Sequence, residues 1–203
     1  MRRLGLTILT LVACATTAAA QERPPTSPTR DVLVSYRATA PVQGAQRQQD
    51  IRVAITAGGQ LMRVDGIGTP AGGNDYIIVD RRARRMTRVM PQDRRYMELP
   101  VGESFSRGFL LNDAMAFTKR GTETIASLKC TVWDISARDG GGSACMTDDG
   151  VMLRGRGTDG KGGIEATSVK YGTQPAALFK PPADYSKLNV PPTTPPGARA
   201  PGR

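Results

Sequence analysis

Two cysteines are the residues of this chain whose joint chemistry is easiest to define. Cys130 and Cys145 lie on either side of a glycine-rich stretch, and the third cysteine, Cys14, directly follows an apolar run near the start. In an oxidising compartment this spacing favours a disulfide over a nucleophile or a metal-binding pair. A bridge of that loop length stabilises a fold by roughly 3 kcal/mol in the chain-entropy model. Two buried free thiols are the alternative.

Histidine is absent from the sequence. Its absence excludes Ser-His-Asp and Cys-His arrangements, and it removes both the usual general base near neutral pH and the commonest transition-metal ligand. No catalytic constellation is visible among the remaining residues. The sequence therefore predicts a non-enzymatic protein without a cofactor or a resident metal. A hydrolase that uses carboxylates is the enzymatic alternative.

Three aspartates offer oxygen ligands of the kind that Ca²⁺ prefers. Asp148, Asp149 and Asp159 lack the regular ladder and the closing Glu of a calcium loop, and two of them precede glycine. Asp-Gly pairs are ordinary turn chemistry. The same residues could act on glycosides as a carboxylate pair, but few aromatic residues are present to stack on sugar rings.

One glycine pattern matches a dinucleotide fingerprint literally. Gly155, Gly157 and Gly160 have the G-x-G-x-x-G spacing. Such a fingerprint needs a helix after it, whose N-terminus faces the pyrophosphate. The residues that follow alternate as a strand, so the pattern favours a hairpin loop.

The densest charge is a group of arginines around one predicted strand. It comprises Arg81, Arg82, Arg84, Arg85, Arg88, Arg94 and Arg95. In a hairpin, Arg82, Arg84 and Arg88 project to one side, with Met86 and Met90 between them in sequence. This mixed cationic and apolar surface predicts contact with an anionic membrane surface. A solvated outer face is the alternative.

Methionine is frequent, with 8 copies in the chain. An unbranched, polarizable side chain suits a pocket that must fit variable acyl chains, and it also serves as ordinary core filling. Together with two phenylalanines, the methionines give the predicted ligand contacts: Met62, Met86, Met90, Met97, Phe109, Met115 and Phe117.

A period of two in apolar residues predicts strands through most of the chain. Residues 32–38 and 51–55 alternate in this way, and residues 62–64 continue the pattern after a glycine turn. With a hairpin turn at Pro91 and Gln92, five or six sequential antiparallel strands are expected. The remaining ones lie at residues 76–79, 86–90 and 96–99.

One helix is predicted from Phe109 to Phe117, where apolar residues lie near one face, and we expect it to cover a face or mouth of the sheet. Strand patterns then return. A strand containing Cys130, a turn at residues 140–142 and a strand at residues 144–147 would bring the two cysteines onto neighbouring strands. Residues 151–156 and 164–171 predict a last hairpin.

The first twenty residues have the pattern of an export signal. Arg2 and Arg3 precede an apolar run at residues 4–13, and small residues end at Ala20. The run is shorter than the roughly 18 residues that span a bilayer. We predict cleavage after Ala20 and a periplasmic location. Residues 11–14 also fit a lipobox, so a lipoprotein anchored through Cys14 is the alternative.

The rest of the chain is the size of one domain, about 150 residues without the two ends. Residues 21–30 contain three prolines and predict a flexible lead-in, residues 31–188 a single β-rich domain, and residues 189–203 a disordered Pro-rich tail.

The formal net charge is +10. For an exported protein the nearest anionic partners are phospholipid head groups, lipopolysaccharide and cell-wall polymers, and nucleic acid is not expected. A charge that provides only solubility is the alternative. The sequence specifies no oligomeric state.

Five strand and turn motifs carry a family resemblance. They are RVD at residues 63–65, YIIVD at 76–80, GTETIASLKCTVWDI at 121–135, CMTDDGVMLRG at 145–155 and ALFKPPADYSKL at 177–188. With them the chain resembles the exported half-barrel proteins of the LolA/LolB-like lipoprotein-carrier superfamily, nearest an uncharacterised bacterial branch. None of these motifs is catalytic, so they support a fold rather than an activity.

The resemblance implies a curved antiparallel sheet or half-barrel that shelters lipid or acyl chains. The expected fold class is mainly β (α+β), with one helix covering a face or mouth. The leading hypothesis is a periplasmic protein that binds a lipid, acyl chain or other amphiphile in the concave side of its sheet. The alternative is an envelope structural or interaction protein with a packed interior, which docks on an anionic surface through its basic face.

Overall fold

A computed structural model of the chain describes residues 22–42, 45–66, 74–101, 111, 114–138, 140–158, 160 and 162–189. Strands dominate this part of the chain. They are β1 (Val32–Val42), β2 (Ala45–Ile55), β3 (Leu61–Asp65), β4 (Tyr76–Asp80), β5 (Arg85–Met90), β6 (Arg95–Pro100), β7 (Ala116–Ile125), β8 (Leu128–Ala137), β9 (Gly140–Met146), β10 (Met152–Gly157), β11 (Gly163–Tyr171) and β12 (Ser186–Leu188). Short 3-10 turns lie at Ala57–Gly59 and Ala176–Phe179. No described helix has the length and apolar character to cross a membrane.

All of these strands belong to one sheet, in the order β12-β6-β5-β4-β3-β2-β1-β11-β10-β9-β8-β7. β1 to β6 form the predicted antiparallel meander, and β7 to β11 form a second one. The two meanders join at the centre, where β1 pairs with β11. The short β12 lies parallel to β6, which makes the sheet mixed. The predicted mainly β fold class is confirmed.

The strand register collects apolar side chains on one face of the first meander. Val32 pairs with Ile55, and Val34 pairs with Val53. Because side chains alternate along a strand, these partners point to the same side of the sheet. All four are buried, and they form the centre of the main core.

The sheet is curved, and this face is its concave face. Met62 on β3 and Met146 on β9 line the same small cavity. Their strands are five steps apart in the sheet order, which in a flat sheet would be about 24 Å at 4.8 Å per strand. Two side chains so far apart in order can meet only where the sheet bends around them.

The C-terminal segment covers the other face of the first meander. The 3-10 turn brings Phe179 against Ala54, Tyr76 and Ile78, which form a second buried cluster. Tyr185, just before β12, packs against the same cluster. The C-terminal segment therefore buries part of the second face of the first meander.

The predicted helix is wrong at its C-terminal end. Ala114 and Met115 form a turn and a bend, and β7 begins at Ala116. Phe109, with residues 110, 112 and 113, lies outside the described residues. Phe117 is buried beside Trp133, with ring centroids 6.4 Å apart in an edge-on arrangement. Over so short an apolar run, periodicity does not distinguish a helix from a strand.

The turn predicted at residues 140–142 is also wrong, because these glycines belong to β9. The chain turns before them, where Ala137 pairs with Gly140. A Cβ on Gly142 would clash with the carbonyl oxygen of Arg156 on the neighbouring strand. Glycine here permits close approach of two strands rather than a turn.

Candidate functional site

An apolar groove of ≈400 Å³ lies on the concave face of the second meander. Binding pockets for small molecules typically measure roughly 300–1,000 Å³. The groove is walled by apolar side chains from β1, β8, β9, β10 and β11 and from the residues before β7. These are Ala38, Ile135, Ala144, Met152, Ile164, Leu111 and Met115. We call this set of residues, with the glycines among them, the apolar groove.

Glycines on the floor of the groove leave space there, because they have no side chain. Gly142 and Gly155 both line it, and neither places a side chain there. A Cβ on Gly155 would lie 3.2 Å from the Sδ of Met152 and 3.6 Å from the Cγ1 of Ile164. The missing side chain of Gly155 therefore corresponds to space inside the groove, between two of its walls.

The first meander's part of the concave face is packed instead. A cavity of only ≈50 Å³ remains there, lined by Tyr36, Val53 and Met62 among others. It shares Met152 and Ile164 with the apolar groove. The concave face thus passes from a filled core under β1 to β3 into an open groove under β8 to β10.

Tyr36 lies at the boundary between these two regions. Its hydroxyl donates a hydrogen bond of 2.7 Å to the carbonyl oxygen of Met152. Burial raises the pKa of Tyr36 well above its usual value. The phenol therefore stays neutral, and its hydrogen bond links strand β1 with strand β10.

The N-terminal segment closes the packed end of the concave face. Residues 22–30, which we call the N-terminal strap, bury Pro24 and Pro28. The N–H of Gly58 donates to the carbonyl oxygen of Pro28 at 2.7 Å, and Arg81 donates to the Oγ of Ser27 at 2.7 Å. The segment that the prolines predict to be a flexible lead-in is thus tied to the sheet at several points.

Asp149 anchors the end of the strap. Its carboxylate accepts hydrogen bonds from Arg30 at 3.0 Å, from Thr147 at 2.5 Å and from Tyr171 at 3.2 Å. Partial burial raises the pKa of Asp149, but these three hydrogen bonds outweigh it, and the net pKa is lowered. Arg30 also lies 3.6 Å above the Tyr171 ring. The carboxylate has a structural role here rather than the calcium role considered from the sequence.

The other chemistry-bearing motifs also have structural roles. Cys130 and Cys145 form a disulfide, with Cα atoms 5.4 Å apart, and both are buried. Gly155 and Gly157 lie at the end of β10 and Gly160 follows in the connection to β11, so the glycine pattern belongs to a hairpin, as predicted. Asp159 and Cys14 lie outside the described residues. Within the described part of the chain, no group of three or more His, Cys, Asp or Glu residues could hold a metal ion.

The predicted methionine contacts fall on the concave face in two groups. Met115 lines the apolar groove, and Met62 lines the packed cavity. Strand pairing places three further methionines on the same face, nearer the β6 side of the sheet: Met86, Met90 and Met97. Phe117 is buried among the residues that pack beneath the groove. Met115 is thus the predicted contact that lines the groove directly.

The seven arginines do not form one surface. Arg81, Arg82 and Arg84 lie in the turn before β5, whereas Arg94 lies in the turn after it, so the two turns are at opposite ends of that strand. Several arginines are paired: Arg88 with Asp75 at 2.7 Å, Arg85 with Glu98 at 3.7 Å, and Arg94 with Asp184. Among the described residues, Arg82, Arg84 and Arg95 have no acidic partner. The single cationic face inferred from the sequence is divided between two sites.

A larger depression of ≈610 Å³ at the strand ends is polar. Arg37 pairs there with Asp50 at 3.4 Å, and Arg63 pairs with Asp65 at 2.8 Å. Arg63 also lies 3.6 Å above the ring of Tyr76. Since its arginines are largely satisfied by its own acids, this depression has weaker grounds than the apolar groove as a ligand site.

No family model and no curated protein matches the chain. Solved structures do. An uncharacterized conserved protein from Thermus thermophilus is 10% identical, with a TM-score of 0.54 over 79% of this chain and 90% of that chain. This chain has the fold of that protein.

Two further solved structures are similar at lower scores. One is the Pseudomonas aeruginosa MucA/MucB complex, with 13% identity, a TM-score of 0.46, 79% of this chain and 58% of that chain. The other is a LolA superfamily protein from Nitrosomonas europaea, with 11% identity, a TM-score of 0.43, 75% of this chain and 91% of that chain. The solved structures similar to this chain thus include a LolA superfamily protein.

Most of the groove was not identified from the sequence. The sequence pattern places Ile135, Ala144 and Ile164 only in strands, and it places Gly142 only in a turn and Gly155 only in a glycine pattern typical of a hairpin loop. A usable signal is present in the sequence: β9 contains three consecutive glycines and an alanine, and β10 contains two glycines. Small residues on the inner face of a curved sheet indicate unfilled space.

Proposed function

We propose that this chain is an exported, non-enzymatic periplasmic protein that binds a lipid, an acyl chain or another amphiphile in the apolar groove. The observation that carries the proposal is the groove itself, ≈400 Å³ on a concave face that is closely packed elsewhere. Among its described lining residues only Arg156 is charged. An apolar chain fits this chemistry better than a sugar, a nucleotide or a metal ion.

Export is the second part of the proposal. It is supported by the signal pattern of residues 1–20 and by the disulfide, since disulfides form and persist in oxidising compartments. We further propose that residues 31–188 act as one domain after cleavage following Ala20. The intact mass of the mature protein without reduction tests cleavage, lipidation of Cys14 and the disulfide together.

A pair of variants on β8 tests ligand binding. Ile135 lines the groove, whereas its neighbour Ser136 is exposed and does not line it. We expect Ile135→Asp to weaken binding of N-phenyl-1-naphthylamine, a neutral apolar probe, by at least tenfold, because a carboxylate must lose water to contact an apolar ligand. Ser136→Asp adds the same charge to the same strand, and we expect it to bind the probe like the wild type.

The outcome is read as probe fluorescence, with thermal unfolding of each variant as a check on folding. Equal affinity of the two folded variants would exclude the groove as the site. Failure of the wild type to bind the probe would exclude the function and favour the alternative, a packed envelope protein that acts through its charged surface.

A further inference from the structure

The inner end of the apolar groove meets the small packed cavity on the same face of the sheet. Strand pairing forms a row of four groove residues across β1, β11, β10 and β9: Ala38, Ile164, Gly155 and Ala144. Tyr36, which lines the packed cavity, lies two residues before Ala38 on β1. Because every second residue of a strand points to the same face, the groove and the cavity are neighbours on the concave face.

Met152 lies at the junction of the two spaces. It lines both of them, together with Leu111 and Ile164. Its Sδ is 3.2 Å and its Cε 3.8 Å from the position that a Cβ of Gly155 would take, so the end of the side chain lies against the groove floor. The carbonyl oxygen of Met152 accepts the hydrogen bond from the Tyr36 hydroxyl. The backbone is thus fixed, and the side chain is the part that can move.

The two strand side chains at this junction differ in stiffness. Ile164 is β-branched, which restricts its χ1. Met152 is unbranched, has three rotatable bonds and is only half-buried. The pairing of β10 with β9 also shifts between Met152 and Arg154, and a bulge of this kind re-aims a side chain. A chain that enters the groove can therefore displace Met152 without moving the sheet.

The packed cavity behind Met152 is small and mostly apolar. Val53 and Met62 line it from the first meander, and Pro28 lines it from the N-terminal strap. Its volume is ≈50 Å³. That exceeds the share of about 30 Å³ that one water molecule takes in the liquid, but it is far smaller than the roughly 150 Å³ of an engineered apolar cavity that binds benzene. The cavity therefore admits the end of one unbranched chain and excludes a ring.

We propose that Met152 determines the length of the acyl chain that the apolar groove accepts, because a longer chain must displace this side chain to reach the packed cavity. This inference rests on the proposed function and makes it more specific. It selects a single unbranched chain as the ligand, with its methyl end at Met152. The head group then lies toward Ile135, which lines the groove but not the cavity.

Straight-chain fatty acids of increasing length test the proposal. Hexanoate to hexadecanoate compete with N-phenyl-1-naphthylamine for the mature protein, each below the concentration at which it forms micelles. Each methylene that becomes buried should tighten binding about fourfold, until the chain reaches Met152 and the gain per methylene falls. Met152→Ala removes the Cγ, Sδ and Cε. In this variant the limit should move to chains about three methylenes longer, one for each atom removed.

Met115→Ala is the matched control, because Met115 also lines the groove but does not line the packed cavity. We expect it to weaken binding of all chain lengths alike and to leave the limit where it is in the wild type. Thermal unfolding shows whether each variant is folded. If Met152→Ala does not fold, Met152→Val takes its place, because valine suits a strand and still removes the Sδ and Cε.

The outcomes separate this inference from the groove function. The same limit in the wild type and in the folded Met152 variant, an equal move in Met115→Ala, or no limit at all would overturn the inference and leave the groove function standing. Absence of competition by every fatty acid in the wild type would instead overturn the proposed function.

Discussion

Gly155 offers a way to fill the apolar groove from its floor. Its neighbours there are the Sδ of Met152 and the Cγ1 of Ile164, at 3.2 and 3.6 Å from a Cβ built on the glycine. The closer contact is with the flexible end of a methionine side chain, which can rotate away. A leucine at this position is therefore tolerated on β10, and the rest of its side chain extends into the groove.

The expected loss of affinity follows from the volume that the leucine occupies. Its four carbons displace about four methylene groups of a bound chain, each contributing about 0.8 kcal/mol when fully buried. The groove is open on one side, so roughly half of that contribution applies, which gives about 1.5 kcal/mol. Gly155→Leu should weaken ligand binding about tenfold.

Displacement of a fluorescent probe by dodecanoate measures this change. Gly121→Leu is the control, because Gly121 is a strand glycine of β7 with nothing within 4 Å of its added Cβ. Both variants should unfold near the wild-type temperature. If Gly155→Leu folds and binds dodecanoate within twofold of the control, the chain does not lie over Gly155, and the groove is not the site.

Two further predictions concern stability. Replacing Cys130 and Cys145 by alanine removes a bridge of sequence separation 15, and we expect the free energy of unfolding to fall by about 3 kcal/mol; urea denaturation checks this, and an unchanged midpoint would contradict it. Folding lowers the pKa of Asp149. Its ionised carboxylate therefore stabilises the fold at pH values above the unfolded-state pKa of about 3.9, and this stabilisation is lost as the pH falls through the folded-state pKa. Asp149→Asn should therefore be less stable than the wild type at pH 7, and the two should converge at low pH, whereas Asp148→Asn, which changes an exposed neighbour, should follow the wild type throughout.

The strands were predictable because one face of each is buried. Val32, Val34 and Tyr36 alternate with partly or fully exposed residues, and burial of one face makes that alternation visible in the sequence. The first meander and the Cys130–Cys145 bridge follow from such local patterns. Neither required knowledge of how distant segments meet.

The groove was not predictable in the same way, because it depends on the curvature of the whole sheet. In the sequence, Gly142 gives a local turn signal. In the structure, glycine is required there because the carbonyl oxygen of Arg156 on β10 lies where a Cβ would be. The distribution of the arginines also depends on the fold. Arg84 and Arg94 are close in sequence, but the six-residue strand β5 separates their turns, by about 20 Å at 3.4 Å per residue.

The contrast between the two halves of the concave face is itself an argument for a ligand. A closed, empty cavity of the groove's ≈400 Å³ would destabilise a domain by about 10 kcal/mol at 24 cal/mol per Å³, which is comparable to the whole stability of a typical domain. The fold avoids that cost by leaving the groove open, but Ile135, Met152 and Ile164 then remain partly exposed. Larger residues at Gly155 and Ala144 would have buried them. Small residues at those two positions keep apolar surface available, and an apolar chain is the partner that covers it.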